Sequence, residues 1–131
     1  MLSYLCLLIL APIKKILFID DEPTLLEIAP LLFDEYEVLA SDKAESIVRF
    51  ILEFKPDLIL LDVIMGTISG VNICKAIKAD SNHSHIPIIL MTAGVVKQEF
   101  YQSGADEIVE KPFDTLAVKA LIDKFLGNQF F

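Results

Sequence analysis

The sequence has little cysteine, and the two cysteines it has, Cys6 and Cys74, follow no ligand spacing. A disulfide framework needs several paired cysteines, and a zinc site needs Cys-x-x-Cys or Cys/His spacing, so neither is predicted. The preferred interpretation is two reduced, buried thiols in a cytoplasmic protein.

Basic residues are also scarce. Eleven lysines and arginines stand against 19 aspartates and glutamates, which gives a formal net charge of -8. A protein that contacts nucleic acid directly presents a basic face to the phosphate backbone. The composition therefore argues against direct nucleic-acid binding.

The chain also lacks an apolar run long enough to cross a membrane. Its longest, Leu2 to Ile13, has about twelve residues, which rise about 18 Å as a helix against a hydrocarbon core of about 30 Å. A secretory signal peptide carries positive charge before its apolar run, whereas Lys14 and Lys15 follow this one. We favour reading residues 1–13 as an added leader, or as one that packs on the domain or on a second copy in a homodimer. A peripheral membrane anchor and a signal peptide are less favoured alternatives.

What is present is the pattern of one domain. At 131 residues and 54 % hydrophobic, the chain is long enough to bury its own core. Residues 14–127 carry one continuous pattern without linker or repeat, residues 128–131 form a short tail, and no second output domain is expected. Short apolar runs alternate five times with amphipathic stretches, which predicts a parallel sheet covered by helices on both faces. The predicted strands are Lys15 to Ile19, Glu37 to Ala40, Asp57 to Leu61, Ile86 to Met91 and Glu107 to Val109.

Capping and breaking residues indicate where the helices lie. Pro30 should kink or split the first helix. Asp42 followed by Glu45 resembles a capping box that opens the second. Asp114 is a natural N-cap for the last helix. The inner stripe of that last helix is predicted to contain Leu116, Val118, Leu121, Ile122 and Phe125.

Polar residues follow four of the predicted strands. Asp20 and Asp21 follow the first strand, Asp62 the third, Thr92 the fourth and Lys111 the fifth. Ligands of open parallel sheets bind outside the carboxyl ends of the strands, where the strand order reverses. Each residue alone is weak support for a site, but their joint placement at successive strand ends predicts one.

Phosphoryl transfer to a carboxylate explains each residue type in this set. Crowded carboxylates raise one another's pKa, so they stay ionised together only beside a cation. Mg²⁺ takes oxygen ligands and would shield the nucleophile Asp62 from an incoming anion. The Lys111 ammonium and the Thr92 hydroxyl would hold the remaining phosphoryl oxygens.

The runs around these residues resemble the response-regulator receiver family over about Lys14 to Leu126. They are Ile16 to Pro23, Pro56 to Met65 with Gly70, Pro87 to Ala93, and Gly104 to Asp106 leading to Lys111, Pro112 and Phe113. The resemblance implies a doubly wound, five-stranded, flavodoxin-like three-layer α/β fold with strand order 2-1-3-4-5.

The resemblance also implies a role for each site residue. Mg²⁺ would be bound directly by Asp21, through water by Asp20, and further by Asp62 and the backbone carbonyl of Ile64. Asp62 would be the phosphoacceptor. Thr92 would move toward the phosphoryl group and Lys111 would pair with it, beside a cis Lys111-Pro112 bond.

The implied function is a stand-alone receiver in a two-component phosphorelay. It would take its phosphoryl group from a sensor histidine kinase or a histidine phosphotransfer protein and would signal through a downstream protein partner. It would catalyse only its own phosphorylation and dephosphorylation, so it is not expected to be an enzyme with an external substrate.

Three positions depart from the family pattern. Gly66 replaces a common proline, which predicts a more mobile loop. Ile108 replaces an aromatic residue that swings inward on activation, so switching should lie mainly in Thr92 and the loop after it. Neither Ile64 nor Gly94 can orient a hydrolytic water, which predicts a long-lived aspartyl phosphate.

Two other functions remain open at this point. A haloacid-dehalogenase-like phosphatase also uses a strand-end aspartate, Mg²⁺, threonine and lysine, but no acid stands two residues after Asp62. A degenerate receiver that acts only as an interaction module is disfavoured by the complete acidic set, although Gly66 and Ile108 keep it open.

Overall fold

The structure is a computed structural model that describes residues 12–127, so the predicted tail, Cys6 and all but the last two residues of the predicted leader lie outside it. Its middle layer is a five-stranded parallel sheet. The strands are β1 (Lys15–Ile19), β2 (Glu37–Ser41), β3 (Leu58–Asp62), β4 (Ile88–Thr92) and β5 (Glu107–Glu110). Their spatial order is β2-β1-β3-β4-β5, which confirms the predicted order.

Helices form the two outer layers. They are α1 (Pro23–Leu32), α2 (Ile47–Phe54), α3 (Gly70–Ala79), α4 (Gln98–Gln102) and α5 (Thr115–Leu126). Helices α1 and α5 pack on one face of the sheet, and α2, α3 and α4 pack on the other. The flavodoxin-like three-layer fold predicted from the sequence is therefore confirmed.

The central strands are apolar except for one terminal residue each, Lys15, Asp62 and Thr92, because both of their faces are covered. Successive side chains of a strand point to opposite faces of the sheet. Accordingly Ile16 and Phe18 belong to the core under α1 and α5, whereas Leu17 and Ile19 belong to the core under α2 and α3. Strands β3 and β4 are buried throughout, and the edge strands β2 and β5 are more exposed.

The predicted capping box before α2 is wrong. Residues 44–46 form a 3₁₀ turn whose N-cap residue is Lys43, and no side chain caps either that turn or α2. The backbone N–H of Lys43 donates to the hydroxyl of Ser41, 3.0 Å away. This bond precedes the 3₁₀ turn and caps none of its N–H groups.

Two further local predictions need correction. Pro30 does not split α1, because it lies in the last turn and the helix ends two residues later at Leu32. Leu116 is 76 % exposed, whereas Val118 and Ile122 are buried. Val118 follows Leu116 by two residues, about 200° around the helix, so Leu116 lies on the opposite side of α5 from Val118 and Ile122.

Two predictions from composition concern residues that the structure describes. One is the reduced state of Cys74, and the other is the lack of a membrane-spanning segment. Cys74 is a buried free thiol, and burial raises its pKa, so it stays protonated at neutral pH and packs as an apolar side chain. No helix within residues 12–127 is both long enough and apolar enough to cross a membrane.

Candidate functional site

Neighbouring strands bring the predicted carboxylates together. Ile19 of β1 lies beside Leu61 of β3, so Asp20 and Asp62 follow at the same level of the sheet. Asp21 comes one residue later, at the start of the loop. Each of these three aspartates offers a carboxylate oxygen, and these oxygens lie within 4.8 Å of one another.

Two of the three carboxylates are buried and held by backbone. Asp20 is fully buried and Asp62 is 6 % exposed, whereas Asp21 is exposed. Asp20 Oδ1 accepts a hydrogen bond from the Glu22 N–H at 2.9 Å. Asp62 Oδ1 accepts one from the Ile64 N–H at 3.4 Å. The loop after each strand therefore orients the acid that the strand delivers.

Lys111 reaches the same carboxylates from β5. Its backbone N–H donates to the Thr92 carbonyl at 2.8 Å, and the Lys111-Pro112 bond is cis, as predicted. Its Nζ lies 2.5 Å from Asp20 Oδ2 and 3.3 Å from Asp62 Oδ2. Lys111 thus contacts both buried acids.

Thr92 ends β4 on the wall of the same cleft. This cleft of about 1070 Å³ is lined in part by Asp21, Asp62, Thr92, Lys111 and Phe113. The Thr92 side chain is nearly buried, and its Oγ1 accepts a hydrogen bond from the Gly94 N–H at 3.1 Å. The hydroxyl is therefore tied to the loop before α4 and can donate its own proton into the cleft.

The cluster has more acidic groups, Asp20, Asp21 and Asp62, than basic ones. Burial raises the pKa of Asp62, the charge of Asp20 raises it further, and Lys111 only partly offsets them. Burial acts to lower the pKa of Lys111, but its contacts with the Asp20 and Asp62 carboxylates outweigh burial and raise that pKa. Lys111 therefore stays charged, and the cluster still lacks positive charge.

The donor set fits a divalent cation. Asp20 Oδ2 is buried and meets the Lys111 ammonium at 2.5 Å, and one carboxylate oxygen from each of Asp20, Asp21 and Asp62 lies within 4.8 Å of the others. Three acids this close carry more negative charge than one ammonium compensates, and a divalent cation would offset the rest. Carboxylate oxygens are the ligands that Mg²⁺ prefers.

A short hairpin follows Asp62 and carries the remaining predicted ligand. Residues Ile64–Met65 pair in antiparallel fashion with Ile68–Ser69. Gly66 lies in the turn at φ +61°, which proline cannot adopt because its ring holds φ near -65°. Gly66 thus builds a tight turn here; the predicted mobility of this loop stays a prediction.

Sequence reasoning missed the role of Gly70. A Cβ atom on Gly70 would lie 1.9 Å from the backbone oxygen of Asp62, a distance at which atoms cannot coexist. The glycine therefore lets the start of α3 approach the end of β3. A single sequence shows only that a glycine stands there, so this contact could not be derived from it.

The comparison with known families decides the identity. A sequence model of the response regulator receiver domain matches residues 16–123. The chain belongs to this receiver domain family. As a receiver domain it is a module of two-component phosphorelay signalling, which confirms the resemblance seen in its motifs.

Curated relatives of the receiver domain are larger proteins. Histidine kinase P4 from Formosa agariphila is 34 % identical over 120 residues, which cover 88 % of this chain and 9 % of that kinase. The chain spans about half, or much less, of the length of the first curated relatives that it matches.

Solved receiver domains share the fold. The signal receiver domain of a histidine kinase from Syntrophus aciditrophicus is 27 % identical with a TM-score of 0.79, covering 88 % of this chain and 91 % of that one. The receiver domain of a sensor histidine kinase from Pseudomonas aeruginosa was solved with a magnesium ion in its active site cleft. It is 22 % identical with a TM-score of 0.78, covers 88 % of this chain and 99 % of that one, and so shows the fold alone.

Proposed function

We propose that this receiver domain accepts a phosphoryl group on Asp62 in a Mg²⁺-dependent phosphorelay. The observation that carries the proposal is the position of the Asp62 carboxylate, which lies on the cleft beside two other carboxylates and the Lys111 ammonium. An Asp62 oxygen would attack the phosphorus of a phosphohistidine. The new P–O bond would replace the P–N bond, and the imidazole nitrogen would leave with a proton.

Mg²⁺ would be held by the Asp21 and Asp62 carboxylates, by the Ile64 carbonyl, and through water by Asp20. The close grouping of the Asp20, Asp21 and Asp62 carboxylate oxygens, within 4.8 Å of one another, supports this assignment. Bound there, the ion would neutralise the carboxylates and stabilise charge on the transferring phosphoryl group.

Lys111 and Thr92 would bind the phosphoryl oxygens that remain. The Lys111 ammonium is 3.3 Å from Asp62 Oδ2, so it lies within reach of a phosphoryl group attached to that carboxylate. The Thr92 hydroxyl would donate its proton from the cleft wall. Because Gly94 is bonded to that hydroxyl, a movement of Thr92 toward the phosphoryl group would pull on the loop before α4.

This link between Thr92 and the loop before α4 would change the surface of the domain on phosphorylation without an aromatic residue at position 108. Ile108 is 9 % exposed and belongs to the core under α2 and α3. The change would therefore reach partners through the loop from Gly94 to Lys97 and through α4, where Tyr101 is 53 % exposed.

We infer that the phosphodonor is a sensor histidine kinase or a histidine phosphotransfer protein, and that the output is altered binding of a downstream protein. Family membership and a histidine kinase among the relatives support this. The domain would act in the cytoplasm and would catalyse only its own phosphorylation and dephosphorylation, without turning over a metabolite.

Intact-mass measurement after incubation with Mg²⁺ and acetyl phosphate tests the proposal. The wild type should gain one phosphoryl group, and so should Asp42→Asn, which changes an exposed acid outside the cleft. Asp62→Asn should gain none. Equal gains in wild type and Asp62→Asn, or full labelling with Mg²⁺ chelated, would contradict it. Catalytic release of phosphate from a generic ester would instead favour the phosphatase alternative.

A further inference from the structure

We propose that Gly70 is a positioning residue for the divalent cation, acting through the hairpin that presents the Ile64 carbonyl. The inference rests on the proposed function, because it takes the cation site at Asp20, Asp21 and Asp62 as given. It goes further by assigning part of the affinity to a residue that carries no side chain and would touch neither the ion nor the phosphoryl group.

The first step is the hydrogen-bonding pattern of the hairpin, that is, which of its facing residues are bonded to each other. The Gly70 N–H donates to the Val63 carbonyl at 2.7 Å, directly beyond the pair formed by Ile64 and Ser69. Antiparallel pairs alternate between hydrogen-bonded and non-hydrogen-bonded. Since Val63 and Gly70 are bonded, Ile64 occupies a non-hydrogen-bonded position, and its backbone groups turn away from Ser69.

The second step is where those groups turn. The Ile64 N–H donates to Asp62 Oδ1 at 3.4 Å. The N–H and C=O of one strand residue point to the same edge of the strand, since a hydrogen-bonded pair exchanges both. The Ile64 carbonyl therefore faces the edge on which the Asp62 carboxylate lies, where a cation can use it.

The third step is the close contact between Gly70 and the Asp62 backbone, which sets this hydrogen-bonding pattern. A Cβ on Gly70 would lie 1.9 Å from the Asp62 oxygen and 2.9 Å from the Asp62 carbonyl carbon. Both neighbours are backbone atoms and cannot turn aside as a flexible side chain does. The strand itself is anchored, because the Val63 N–H donates to the Met91 carbonyl of β4 at 2.9 Å.

A side chain at position 70 must therefore push the start of α3 away from β3. This movement lengthens the bond between the Gly70 N–H and the Val63 carbonyl, which is the pair that fixes the orientation of Ile64. The side chains of Asp20 and Asp21 belong to other segments, so the clash does not touch them. The cation would keep these two carboxylates and lose the alignment of its carbonyl ligand.

The exposure of Ile64 is an independent reason to assign the hairpin a backbone role. Its side chain is 69 % exposed, so it gains little from burial. A Cβ at Gly66 in the turn would contact nothing within 4 Å. Met65 and Ile68 pack on the core under α2 and α3, whereas the Ile64 side chain does not, so a backbone role is the better account of position 64.

Mg²⁺ titrations followed by backbone amide NMR shifts test the inference on wild type, Gly70→Ala and Ser69→Ala. Ser69→Ala is the matched control, because it removes the hydroxyl that caps α3 through the Asn72 N–H at 3.2 Å but introduces no clash at Asp62. Gly70→Ala should bind Mg²⁺ about tenfold or more weakly, as is typical for the loss of support behind a metal ligand. Ser69→Ala should bind like wild type. Wild-type affinity in folded Gly70→Ala would overturn the inference.

A second measurement needs no variant and covers the case in which Gly70→Ala does not fold. If the closed hairpin is needed for the ion, saturating Mg²⁺ must slow hydrogen exchange of the wild-type Gly70 amide. The Leu116 amide, which donates to Asp114 at 2.9 Å, should be unaffected. If the Gly70 amide exchanges at the same rate in Mg²⁺-bound protein, the inference about Gly70 is overturned while the proposed function stands. If wild type binds no Mg²⁺, the metal-dependent function fails as well.

Discussion

The ammonium nitrogen of Lys111 lies 2.5 Å from Oδ2 of Asp20, although the two residues follow different strands of the sheet. Asp20 is fully buried, and leaving such a charge without a partner is strongly destabilising. The Lys111 ammonium therefore compensates the same carboxylates that would bind Mg²⁺. The ammonium and Mg²⁺ should compete for Asp20.

Removing that ammonium should strengthen Mg²⁺ binding. Lys111→Met deletes a positive charge next to Asp20 and Asp62, so we expect a severalfold lower dissociation constant for Mg²⁺ by NMR titration and a loss of phosphorylation by acetyl phosphate. Lys97→Met is the control, because Lys97 lines the same cleft but makes no ion pair with a described residue. Unchanged or weaker Mg²⁺ binding in Lys111→Met would contradict the competition.

Asp62→Asn should stabilise the metal-free domain in a pH-dependent way. Burial and then the charge of Asp20 raise the folded-state pKa of Asp62, so its ionised form opposes folding above that raised pKa. As the pH falls through it, the carboxyl becomes protonated and the penalty disappears. Urea unfolding with a chelator present should therefore show the variant more stable at neutral pH, with a difference that narrows in acid.

The same experiment has a built-in control. Mg²⁺ binds the folded state, so adding it at neutral pH should stabilise wild type more than Asp62→Asn. A stability difference that stays constant from neutral to acid pH would show that the ionisation of Asp62 is not its source.

The phosphorylated form should be long-lived. The Ile64 side chain is 69 % exposed and apolar, and the Gly94 N–H already donates to Thr92, so neither orients a water molecule toward the phosphorus. Ile64→Asn adds a group that can do so and should shorten the lifetime on the order of tenfold. Loss of label at Asp62 measures it, with Ile64→Val as the matched control. Equal decay rates in wild type and Ile64→Asn reject the explanation.

Two aspartates that look like helix caps in the sequence should behave differently. Asp114 accepts from the Leu116 N–H at 2.9 Å, so Asp114→Ala should cost about 1 kcal/mol of unfolding free energy. Asp42 caps no helix, so Asp42→Ala should stay within about 0.5 kcal/mol of wild type. Chemical denaturation of both variants checks this, and similar losses in both would contradict the cap assignment.

Much of the fold could be predicted because hydrophobic periodicity is a local property. The runs that became β1, β3 and β4 are apolar except for one terminal residue each, since both faces of a central strand are covered. Helix ends were less predictable. Asp42 has the right spacing for a cap, but the N-cap position falls on Lys43 and no described side chain caps this turn. Where the helix begins depends on the path of the chain as it leaves β2.

The order of residues along the chain by itself determined which strands form and which acids, hydroxyl and ammonium stand at their ends, because strand-forming patterns and strand-end positions are written in consecutive residues. Only the tertiary structure decided that Lys111 contacts Asp20 and that Gly70 touches the backbone of Asp62. The first contact joins segments far apart in the chain, and the second depends on how closely the start of α3 approaches β3. Both are set by how the elements pack together, which no local pattern records.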